Sequence, residues 1–345
     1  MKDDLKLGKP ARFINCYVPT EACNFQCQYC YIGQRKDFNH MLFHRKYSLE
    51  TMKKAMSKER LGGTCIFNLC AGGETLLGME VIPVIEMLLE NGHNVSIVTN
   101  GTVSKAIVQL IEMPKKLREN LYIKFSFHYF ELEKRKLTEL FFNNVKKVRE
   151  NHISFSIDVT PCDELIPYID AIKELFEVYM DGAMPHISVA RDTTSHELKI
   201  LSKYSKEEYK KIWSVFDSCK FDYKITEFLK PHHEYCYAGN WSFSLELSTG
   251  NCRICDGSPN PQKMNFYNLY EKPEEKIPFV EIGCECPTAH CYNCHALLTL
   301  GTIPELQTPS YAQMLDRVDR KGNHWLTEEM REFYSFRVGN LEKDE

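Results

Sequence analysis

Short apolar runs alternate with longer helical patterns between residues 11 and 190, and this alternation limits the fold more than any other feature of the sequence. Six of the runs have the length and residue types of strands, at 12–18, 64–70, 94–99, 121–127, 152–159 and 186–190. Helical patterns lie between them, near 48–60, 76–91, 102–113, 131–150 and 164–180. Because strands separated by helices of this length form βαβ units, the alternation predicts an α/β fold with a parallel sheet. Six strands are too few for a closed eight-stranded barrel, so an incomplete barrel and a doubly wound sheet both fit.

The sequence changes in character after residue 230. A helical pattern near 205–219 opens with a capping-box sequence that runs from Ser205 to Glu208. The segment 236–305 is rich in Cys, Pro, Gly and Asn, and WSFSLELS is its one strand-like piece. Such a segment is typical of a small domain organised by metal rather than by an apolar core. We therefore predict two domains, the second with C-terminal helices near 310–320 and 326–337, and their bounds are 1–230 and 231–345.

The 345-residue chain has an ordinary composition for a globular protein, with 43% hydrophobic and 26% charged residues. Its formal net charge of −4 argues against a general nucleic-acid binder, which needs cationic side chains for the phosphates. No stretch reaches the roughly 20 apolar residues of a membrane-spanning helix. The first residues, MKDDLKLGKP, lack the apolar run of a secretory signal. We predict a cytoplasmic protein without nucleic-acid or membrane partners.

The 15 cysteines are numerous for such a chain, and their distribution is uneven. An odd number without an export signal argues against a disulfide framework. Scattered cysteines are most often small buried hydrophobic residues, which is how we interpret Cys16, Cys65, Cys70, Cys162 and Cys219. Clustered thiols in a reducing compartment are instead typical of metal ligands. Two clusters occur, an early one of Cys23, Cys27 and Cys30 and a late one of Cys236, Cys252, Cys255, Cys284, Cys286, Cys291 and Cys294.

The early cluster, CNFQCQYC at 23–30, supplies three thiols and no fourth. It follows the first predicted strand, at the end of the sheet where α/β folds bind their ligands. An iron–sulfur cluster is normally held by four thiolates. Three thiolates leave one iron open to a non-protein ligand, and an open coordination position is typical of a catalytic site.

CNFQCQYC resembles the CxxxCxxC signature of the radical S-adenosylmethionine (SAM) enzymes, including the aromatic Tyr29 before the last cysteine. The resemblance implies that Cys23, Cys27 and Cys30 hold a [4Fe–4S] cluster whose open iron is chelated by SAM. In that family, reduction of the cluster cleaves SAM to methionine and a 5′-deoxyadenosyl radical, which abstracts hydrogen from the substrate. The resemblance covers about residues 11–191 and implies a partial (β/α)6 TIM-like barrel there.

Turns after the second and third predicted strands extend this resemblance. The first contains Gly72, Gly73 and Glu74 and is similar to the GGE motif of the family. Two glycines allow the backbone to approach a ligand closely, and the carboxylate beside them is expected to accept hydrogen bonds from the SAM ammonium. The second contains Asn100 and resembles the TNG turn of these enzymes. Without the family context it would be an ordinary Asn-Gly turn.

The predicted strands carry polar side chains on one face. Read with a period of two, the fourth and fifth strands place Ser126, His128 and Asp158 opposite their apolar residues. A polar lining needs hydrogen-bond partners, so it predicts a polar ligand inside the barrel. His128 and Asp158 are candidates for substrate contact or proton transfer, unless they merely satisfy local backbone groups. From the resemblance, Ser126 is expected to bind the SAM ribose, and Arg191 either reaches the SAM carboxylate or is solvated.

The late cysteines resemble the SPASM and twitch domains, C-terminal modules that carry auxiliary iron–sulfur clusters. Cys236, Gly250 and Cys255 have the spacing of the opening pattern of these domains. A quartet follows in which each gap is one residue shorter than in the family, and it comprises Cys284, Cys286, Cys291 and Cys294. The last, isolated cysteine of the family is absent, and Cys252 is an extra thiol available in its place. One or two auxiliary clusters, a zinc knuckle with His290 and His295, and unliganded thiols all stay open.

The sequence therefore predicts a radical SAM enzyme, of the oxidoreductase or peptide-maturase type, that abstracts hydrogen from a polar substrate. We expect a peptide or protein substrate ahead of a small polar metabolite such as a sugar or aminocyclitol. The 22 residues before Cys23 leave no room for the N-terminal module with which many peptide maturases capture a leader peptide, which weakens a leader-dependent role. The resemblance also implies an electron donor such as flavodoxin or ferredoxin. The alternative from another class is a non-catalytic zinc or iron–sulfur scaffold, which would not need Gly72, Gly73, Glu74 and Ser126.

Overall fold

The computed structural model describes residues 7–194, 199–255, 265–286 and 294–339. Its strands are β1 Arg12–Val18, β2 Cys65–Ala71, β3 Asn94–Thr99, β4 Leu121–Phe127, β5 Ser154–Val159, β6 His186–Ile187, β7 Arg191–Asp192, β8 Lys199–Ile200, β9 Tyr235–Cys236, β10 Ser242–Glu246, β11 Asn251–Arg253, β12 Asn265–Asn268 and β13 Cys284–Glu285. Its α-helices are α1 Tyr31–Arg35, α2 Leu49–Ala55, α3 Lys58–Leu61, α4 Val81–Glu90, α5 Ser104–Glu112, α6 Lys115–Arg118, α7 Tyr129–Arg135, α8 Thr138–Glu150, α9 Ile169–Tyr179, α10 Lys206–Trp213, α11 Cys219–Glu227, α12 Tyr311–Leu315 and α13 Glu328–Ser335. Among the described helices, none combines the length and the apolar composition that crossing a membrane requires.

Nine of the described strands form one sheet, in the order β12-β11-β10-β1-β2-β3-β4-β5-β6. Strands β1 to β6 are parallel, and each pairs with the next one along the chain. Because right-handed crossovers in this sequential order all fall on the same side, the helices cover a single face of the sheet. Apolar side chains of successive strands are buried in one core, among them Ile14, Phe67, Ile97, Phe125 and Ile157. The predicted α/β fold is therefore confirmed in the form of an open, partial (β/α)6 barrel.

The strand boundaries follow the sequence patterns closely, whereas several predicted helices are shorter or divided. The first five strands lie within two residues of their predicted positions, but β6 is limited to His186–Ile187. The helix predicted at 131–150 is two helices, α7 and α8, because Lys136 takes a left-handed conformation with a φ of 56° between them. The capping box is confirmed, since Ser205 and Glu208 cap α10 reciprocally.

The inner face of the barrel is polar, as predicted. Asn68 Nδ2 donates to Asn15 Oδ1 at 2.9 Å, and Ser96 Oγ donates to Asn68 Oδ1 at 3.0 Å. The hydroxyls of Tyr122 and Ser156 lie 2.6 Å apart. Each of these bonds satisfies a polar group whose burial would otherwise be unfavourable. Rows of hydrogen bonds therefore cross neighbouring strands on the side that the helices do not cover.

The C-terminal helices close one end of the barrel. Phe13, Ile66 and Tyr122 lie near the N-terminal ends of their strands and pack with side chains of α12 and α13. The Tyr334 hydroxyl of α13 donates to Asn94 Oδ1 at 2.9 Å. This apolar plug leaves the opposite end, where the strands run into their following loops, as the open end of the barrel.

Part of the Cys-rich segment joins the main sheet, which differs from the expectation of a region organised by metal. Strand β10 pairs in parallel with β1, and β10 and β11 form a hairpin, with Gly250 in its turn at a φ of 80°. Phe243, Leu245, Leu269 and Tyr270 are buried in the same core as the barrel. Strands β11 and β12 have no clear sequence signal and were not predicted. The division of the chain at residue 230 stays a prediction.

Candidate active site

The three early cysteines line one cavity at the open end of the barrel. Cys23, Cys27 and Cys30 lie in the loop after β1, and the other walls of the cavity come from the ends of β2, β3 and β4 and the loops after them. Side chains and backbone that the sequence had assigned to the cofactor or to catalysis lie in this lining: Gly72, Gly73, Glu74, Asn100, Ser126 and His128. The structure therefore brings together the three early thiols and six of the nine residues that the sequence assigns to the cofactor or to catalysis.

The cysteine loop is held by local hydrogen bonds and by a close backbone contact. Cys30 caps the N-terminus of α1, and its backbone N–H donates to the Cys27 carbonyl at 3.2 Å. The backbone N–H of Phe25 donates to the Cys23 sulfur at 3.4 Å. A Cβ atom at Gly33 would lie 2.2 Å from the Cys27 carbonyl oxygen, so glycine is required where α1 packs on the loop. Sequence reasoning missed Gly33, whose constraint comes from this contact.

The surroundings of the early thiols oppose free thiolates. Burial raises the pKa of Cys23 to about 11, despite the opposing hydrogen bond from Phe25. Burial, together with the neighbouring Cys30 and Cys23, also raises the pKa of Cys27. Positive charge placed against these sulfurs would favour their ionised form, as iron does. Three soft sulfur donors around one cavity fit the predicted [4Fe–4S] cluster and its non-protein ligand.

Gly73 is required by packing within the protein, whereas a side chain at position 72 would meet only the end of the flexible Glu21 side chain. A Cβ atom on Gly72 would lie 2.5 Å from Glu21 Oε2, and one on Gly73 would lie 2.0 Å from the Ala22 carbonyl oxygen. The Gly73 N–H also donates to the Thr20 carbonyl at 2.7 Å. The loop after β2 therefore rests directly on the loop after β1 and fixes its position. Close approach of these glycines to a ligand stays a prediction.

The Glu74 carboxylate is 2% exposed and accepts hydrogen bonds from the protein on both oxygens. The Thr99 hydroxyl and the Leu76 N–H donate to Oε1 at 2.6 and 2.9 Å, and the Asn100 N–H donates to Oε2 at 2.7 Å. Burial raises the pKa of Glu74, while these three bonds favour the ionised form. The carboxylate thus holds the loops after β2 and β3 together. Its predicted contact with the SAM ammonium stays a prediction beside this positioning role.

A hydrogen-bonded group connects the turn after β3 to the cysteine loop. Asn100 Nδ2 donates to Asn24 Oδ1 at 2.7 Å, and Asn24 Nδ2 donates to Thr102 Oγ1 at 2.9 Å. The Thr102 hydroxyl donates in turn to Asn100 Oδ1 at 2.7 Å. Asn100 also hydrogen-bonds the Cys23 sulfur, which lowers the pKa of that thiol. Asn24 was missed from sequence, although its place inside the CxxxCxxC motif is a usable signal.

His128 is a neutral imidazole beside the cysteine loop. Its Nδ1 lies 2.7 Å from the Tyr29 hydroxyl, and the two rings stack with centroids 5.8 Å apart. Burial lowers the pKa of His128 to about 4, so the ring is neutral near pH 7. Tyr29 itself lies outside the lining and contacts the cavity through His128. The role of His128 in proton transfer stays a prediction.

Asp158 lies outside the cavity lining and is held in an ion pair. Its Oδ2 accepts a hydrogen bond from Lys220 Nζ at 2.6 Å and lies 3.3 Å from Lys124 Nζ. Burial raises the pKa of Asp158, but the two lysines outweigh that effect and hold it well below its usual range. Asp158 is therefore a permanent carboxylate near neutral pH. This disagrees with a role in proton transfer and leaves contact with the substrate as a prediction.

Ser126 and Arg191 have different surroundings. Ser126, on β4, is partly buried and lines the cavity together with the three thiols. Arg191 begins β7, is exposed and lies outside that lining. Its backbone carbonyl accepts a hydrogen bond from Gln34 Nε2 at 2.9 Å, which joins β7 to α1. The position of Arg191 agrees with the solvated alternative.

Cys70 was interpreted as a scattered hydrophobic residue, but it also lines the cavity. It lies on β2, on the same inward face as Asn68, and is only partly buried. The period-two pattern of β2 is the signal that would have separated Cys70 from the buried thiols.

Four late cysteines are neighbours. Cys236 on β9 pairs in register with Cys284 on β13, whose sulfur lies 3.5 Å from the Cys236 carbonyl oxygen. Burial raises the pKa of Cys236 to about 12, and nearby Cys286, Cys255 and Cys284 act in the same direction. Within the described residues, no three His, Cys, Asp or Glu side chains are arranged to hold a single metal ion. The four thiols have the number and chemistry of an iron–sulfur ligand set.

The position of Cys252 contradicts its predicted use as a ligand in place of the missing cysteine. Cys252 is fully buried on β11, in register with Leu245 of β10. Cys252 and Cys16 belong to the same apolar core. The thiol therefore acts as a core residue. Cys291, His290 and the side chains of Cys294 and His295 lie outside the described part of the chain.

Sequence comparisons agree with the site. Residues 17–162 match the sequence profile of the Radical SAM superfamily. An S-adenosylmethionine-dependent nucleotide dehydratase from Selenomonas ruminantium is 27% identical over 112 residues, which are 32% of this chain and 35% of that protein. The match thus spans about a third of the length of that relative.

Solved structures share the fold. The structure of anSMEcpe with bound AdoMet gives a TM-score of 0.53 at 15% identity and covers 76% of each chain. Streptococcus suis SuiB bound to S-adenosylmethionine gives 0.52 at 14% identity, over 79% of this chain and 66% of its own. The profile match, the partial barrel and the three thiols at its open end agree with one another. The domain that contains residues 17–162 belongs to the radical SAM superfamily.

Proposed function

We propose that this protein is a radical SAM enzyme that holds a [4Fe–4S] cluster through Cys23, Cys27 and Cys30 and abstracts hydrogen from a polar substrate. The observation that carries the proposal is the convergence of these thiols with the ends of three further strands on one cavity. A scaffold that only holds metal has no use for those strand ends. When bound, the cluster supplies the electron that cleaves SAM to methionine and a 5′-deoxyadenosyl radical.

The contribution of the chain itself is to bind and orient. The Ser126 hydroxyl and the imidazole of His128 are hydrogen-bonding groups at the cavity for polar groups of SAM. Glu74 keeps the loops after β2 and β3 at a fixed spacing. Phe25, which is 2% exposed, packs edge-on against His128 with centroids 5.9 Å apart and keeps water from this wall.

Anaerobic reconstitution with iron and sulfide, followed by SAM and dithionite, tests the proposal. The parent protein is expected to form 5′-deoxyadenosine. Joint replacement of Cys23, Cys27 and Cys30 by Ala should abolish this product and leave auxiliary iron in place. Cys219→Ala, which removes an exposed thiol outside both groups, is the matched control. Parent-like product formation by the triple variant would refute the cluster assignment.

A peptide or protein is the substrate class that we place first. One similar structure is that of anSMEcpe with bound AdoMet and a Cp18Cys peptide, which gives a TM-score of 0.51 at 16% identity. The loop after α1 also exposes large apolar side chains next to the cavity: Phe38, Met41 and Leu42 are 47, 51 and 36% exposed, and Phe38 is part of the lining. Exposed apolar side chains at a cavity are typical of surfaces that bind a peptide.

A small polar metabolite, such as a sugar, an aminocyclitol or a nucleotide, is the second candidate. The curated relative is named as a nucleotide dehydratase, and two lysines lie inside the barrel. Deuterium transfer separates the candidates. Extracts from cells grown in deuterated medium are divided by size and added with SAM, and label is sought in 5′-deoxyadenosine. Transfer from the peptide and protein fraction supports the first candidate, and transfer from the small-molecule fraction alone supports the second.

An auxiliary iron–sulfur cluster is proposed at Cys236, Cys255, Cys284 and Cys286. Support comes from the mutual proximity of these thiols and from the β9–β13 pairing that holds two of them in register. Such a cluster would either relay an electron or hold the substrate. Its reduction potential would be set by its ligands and by its exposure to solvent. Metal analysis of the purified protein distinguishes one auxiliary cluster, two auxiliary clusters and a zinc knuckle.

A flavodoxin or ferredoxin is the proposed electron donor. Exposed cationic residues lie at the C-terminal end of α1, namely Arg35 and Lys36. Flavodoxins and ferredoxins are small acidic proteins, so a positively charged surface attracts them. Replacement of dithionite by enzymatically reduced flavodoxin tests this. Formation of 5′-deoxyadenosine that weakens with added salt is the expected result.

A further inference from the structure

Two lysines share one carboxylate inside the barrel. Lys220 Nζ and Lys124 Nζ lie 2.6 and 3.3 Å from the same oxygen, Asp158 Oδ2. The Lys220 side chain, from α11, is 1% exposed, whereas the Lys124 side chain, from β4, is 25% exposed. Asp158 Oδ1 is buried and has no hydrogen-bond partner among the described residues. These three residues form what we term the lysine–aspartate cluster, with two positive charges and one negative charge.

The extra positive charge is costly where it lies. Burial lowers the pKa of Lys220 to about 8, although Asp158 acts in the opposite direction. Among the described residues, Asp158 is the carboxylate with which both lysines form ion pairs. Charge that is buried without a counterion is unfavourable, so an added anion would stabilise this region.

Lys124 is the member of the cluster that a ligand can reach. It lies two residues before Ser126 on β4, so both side chains are on the inner face of the strand. Ser126 lines the cavity of the three thiols, and it is in register with Asp158 on β5. Lys124 therefore occupies the inward-facing position on β4 immediately before Ser126, just outside the lining of that cavity.

We infer that Lys124 binds an anionic group of the substrate, a phosphate or a carboxylate, beneath the cavity of the three thiols. The inference rests on the proposed function and deepens it by assigning a negative charge to the substrate. An ammonium on a long side chain recognises either group by charge-assisted hydrogen bonds. The Asp158 carboxylate positions the Lys124 ammonium. Because Lys220 already balances the charge of Asp158, the positive charge of Lys124 stays available for a ligand. Either a phosphorylated metabolite or an acidic residue of a peptide carries such a group.

Direct anion binding tests the inference without any turnover of SAM. Inorganic pyrophosphate and glutarate are titrated calorimetrically into the cluster-loaded parent protein and into Lys124→Met and Lys124→Arg variants. Lys220 remains to pair with Asp158 in the Lys124→Met variant, so the carboxylate keeps a partner. Lys146→Met, which removes an exposed lysine of α8, is the matched control. Affinity for the bound probe should fall at least tenfold in Lys124→Met and be largely kept in Lys124→Arg and Lys146→Met.

The two probes distinguish the sources of the charge. A parent that binds pyrophosphate and loses it in Lys124→Met points to a phosphate on the substrate, and the same result with glutarate points to a carboxylate. The inference is overturned if the parent binds neither probe or if Lys124→Met binds them as the parent does. It is also overturned if Lys124→Met weakens SAM binding tenfold at unchanged probe affinity, since the charge then serves the SAM carboxylate. Failure of the proposed function has a different signature, the absence of 5′-deoxyadenosine from the parent.

Discussion

The Thr99 hydroxyl donates a 2.6 Å hydrogen bond to Oε1 of Glu74, and the two residues lie at the C-terminal ends of neighbouring strands. The other carboxylate oxygen accepts the Asn100 N–H at 2.7 Å. A single buried carboxylate thus sets the spacing between two loops that line the cavity of the three thiols. A change at Glu74 is therefore expected to be felt in both loops.

Glu74→Gln should lower the free energy of unfolding and the affinity for SAM without loss of iron. The amide group places an N–H₂ donor against an N–H or hydroxyl donor, and an unsatisfied buried group costs about 1–3 kcal/mol. Urea unfolding and equilibrium dialysis of SAM measure the two effects. Glu90→Gln, an exposed carboxylate paired with Lys53, is the control. A variant that matches the parent in both measurements would show that the carboxylate does not organise these loops.

The parts of this fold that the sequence predicts are those coded by neighbouring residues. Strands β1 to β5 could be predicted because a strand needs only a short run of apolar and β-branched residues, and the helices between them because their periodicity is local. The CxxxCxxC loop is equally local. The polar inner face also follows from period two, and Ser126 and His128, which this pattern places there, line the cavity.

The parts that escaped prediction depend on distant contacts. Strand β10 pairs with β1, although most of the chain lies between them. Neither segment contains a signal for this pairing, and strands that follow each other in sequence are the usual neighbours. The pairing carries β11 and Cys252 into the barrel core, which the spacing of the cysteines does not reveal. In the same way, the partner of Asp158 is Lys220 on α11, a helix whose position follows only from tertiary packing.

Stability should fall in mild acid because His93, His128 and His186 are buried as neutral rings. Burial lowers the pKa of His93 and of His128 from 6.5 to about 4. Between these values the unfolded chain binds more protons than the folded protein does. The contribution of these neutral rings to the free energy of unfolding is therefore expected to be complete above pH 6.5 and to be lost as the pH falls towards 4. The loss is about 1.4 kcal/mol per pH unit for each histidine.

His93→Gln separates this effect from general acid denaturation. The Cys65 N–H donates to His93 Nδ1 at 3.1 Å and Nε2–H donates to the Met56 carbonyl at 2.8 Å, so the substitution lowers stability at every pH. The informative quantity is the slope of the unfolding free energy between pH 6.5 and 4.5, measured by urea titration. It should be smaller than in the parent by about 1.4 kcal/mol per pH unit. His40→Gln controls for removal of an exposed imidazole, and equal slopes in His93→Gln and the parent would contradict the prediction.

Asp158→Asn should destabilise the protein strongly. The Lys220 ammonium is 1% exposed and would lose the carboxylate that it contacts at 2.6 Å. Breaking a buried ion pair by removal of one partner costs about 3–5 kcal/mol. The free energy of unfolding, measured by urea titration, should fall by that order.

The double variant Asp158→Asn with Lys220→Met is the critical comparison. It removes both members of the pair, so part of the lost stability should return because no ammonium is left buried without a counterion. Lys321→Met, which breaks an exposed pair with Asp181, serves as the surface control and should cost less than about 1 kcal/mol. A double variant no more stable than the single one would mean that Asp158 acts through other partners.

Cys252 and Cys236 should respond oppositely to substitution by Ala. Cys236 is surrounded by Cys255, Cys284 and Cys286, whereas Cys252 is fully buried opposite Leu245. Cys236→Ala should therefore lower the iron content and, together with Cys255→Ala, stop formation of modified product. Reductive cleavage of SAM should survive, because the three early thiols are untouched. Circular dichroism must accompany the assay, since a metal-organised segment can unfold without its metal.

Cys252→Ala is expected to keep the full iron content and to lose only packing, about 1 kcal/mol of unfolding free energy for the buried sulfur. Iron and zinc analysis of anaerobically purified protein, with urea unfolding of the same samples, measures both quantities. Each variant is the matched control of the other, because both replace a late thiol by the same residue. Loss of iron in Cys252→Ala at parent-like stability would return that thiol to the ligand set. Zinc in place of iron at Cys236 would replace the proposed electron relay by a structural knuckle.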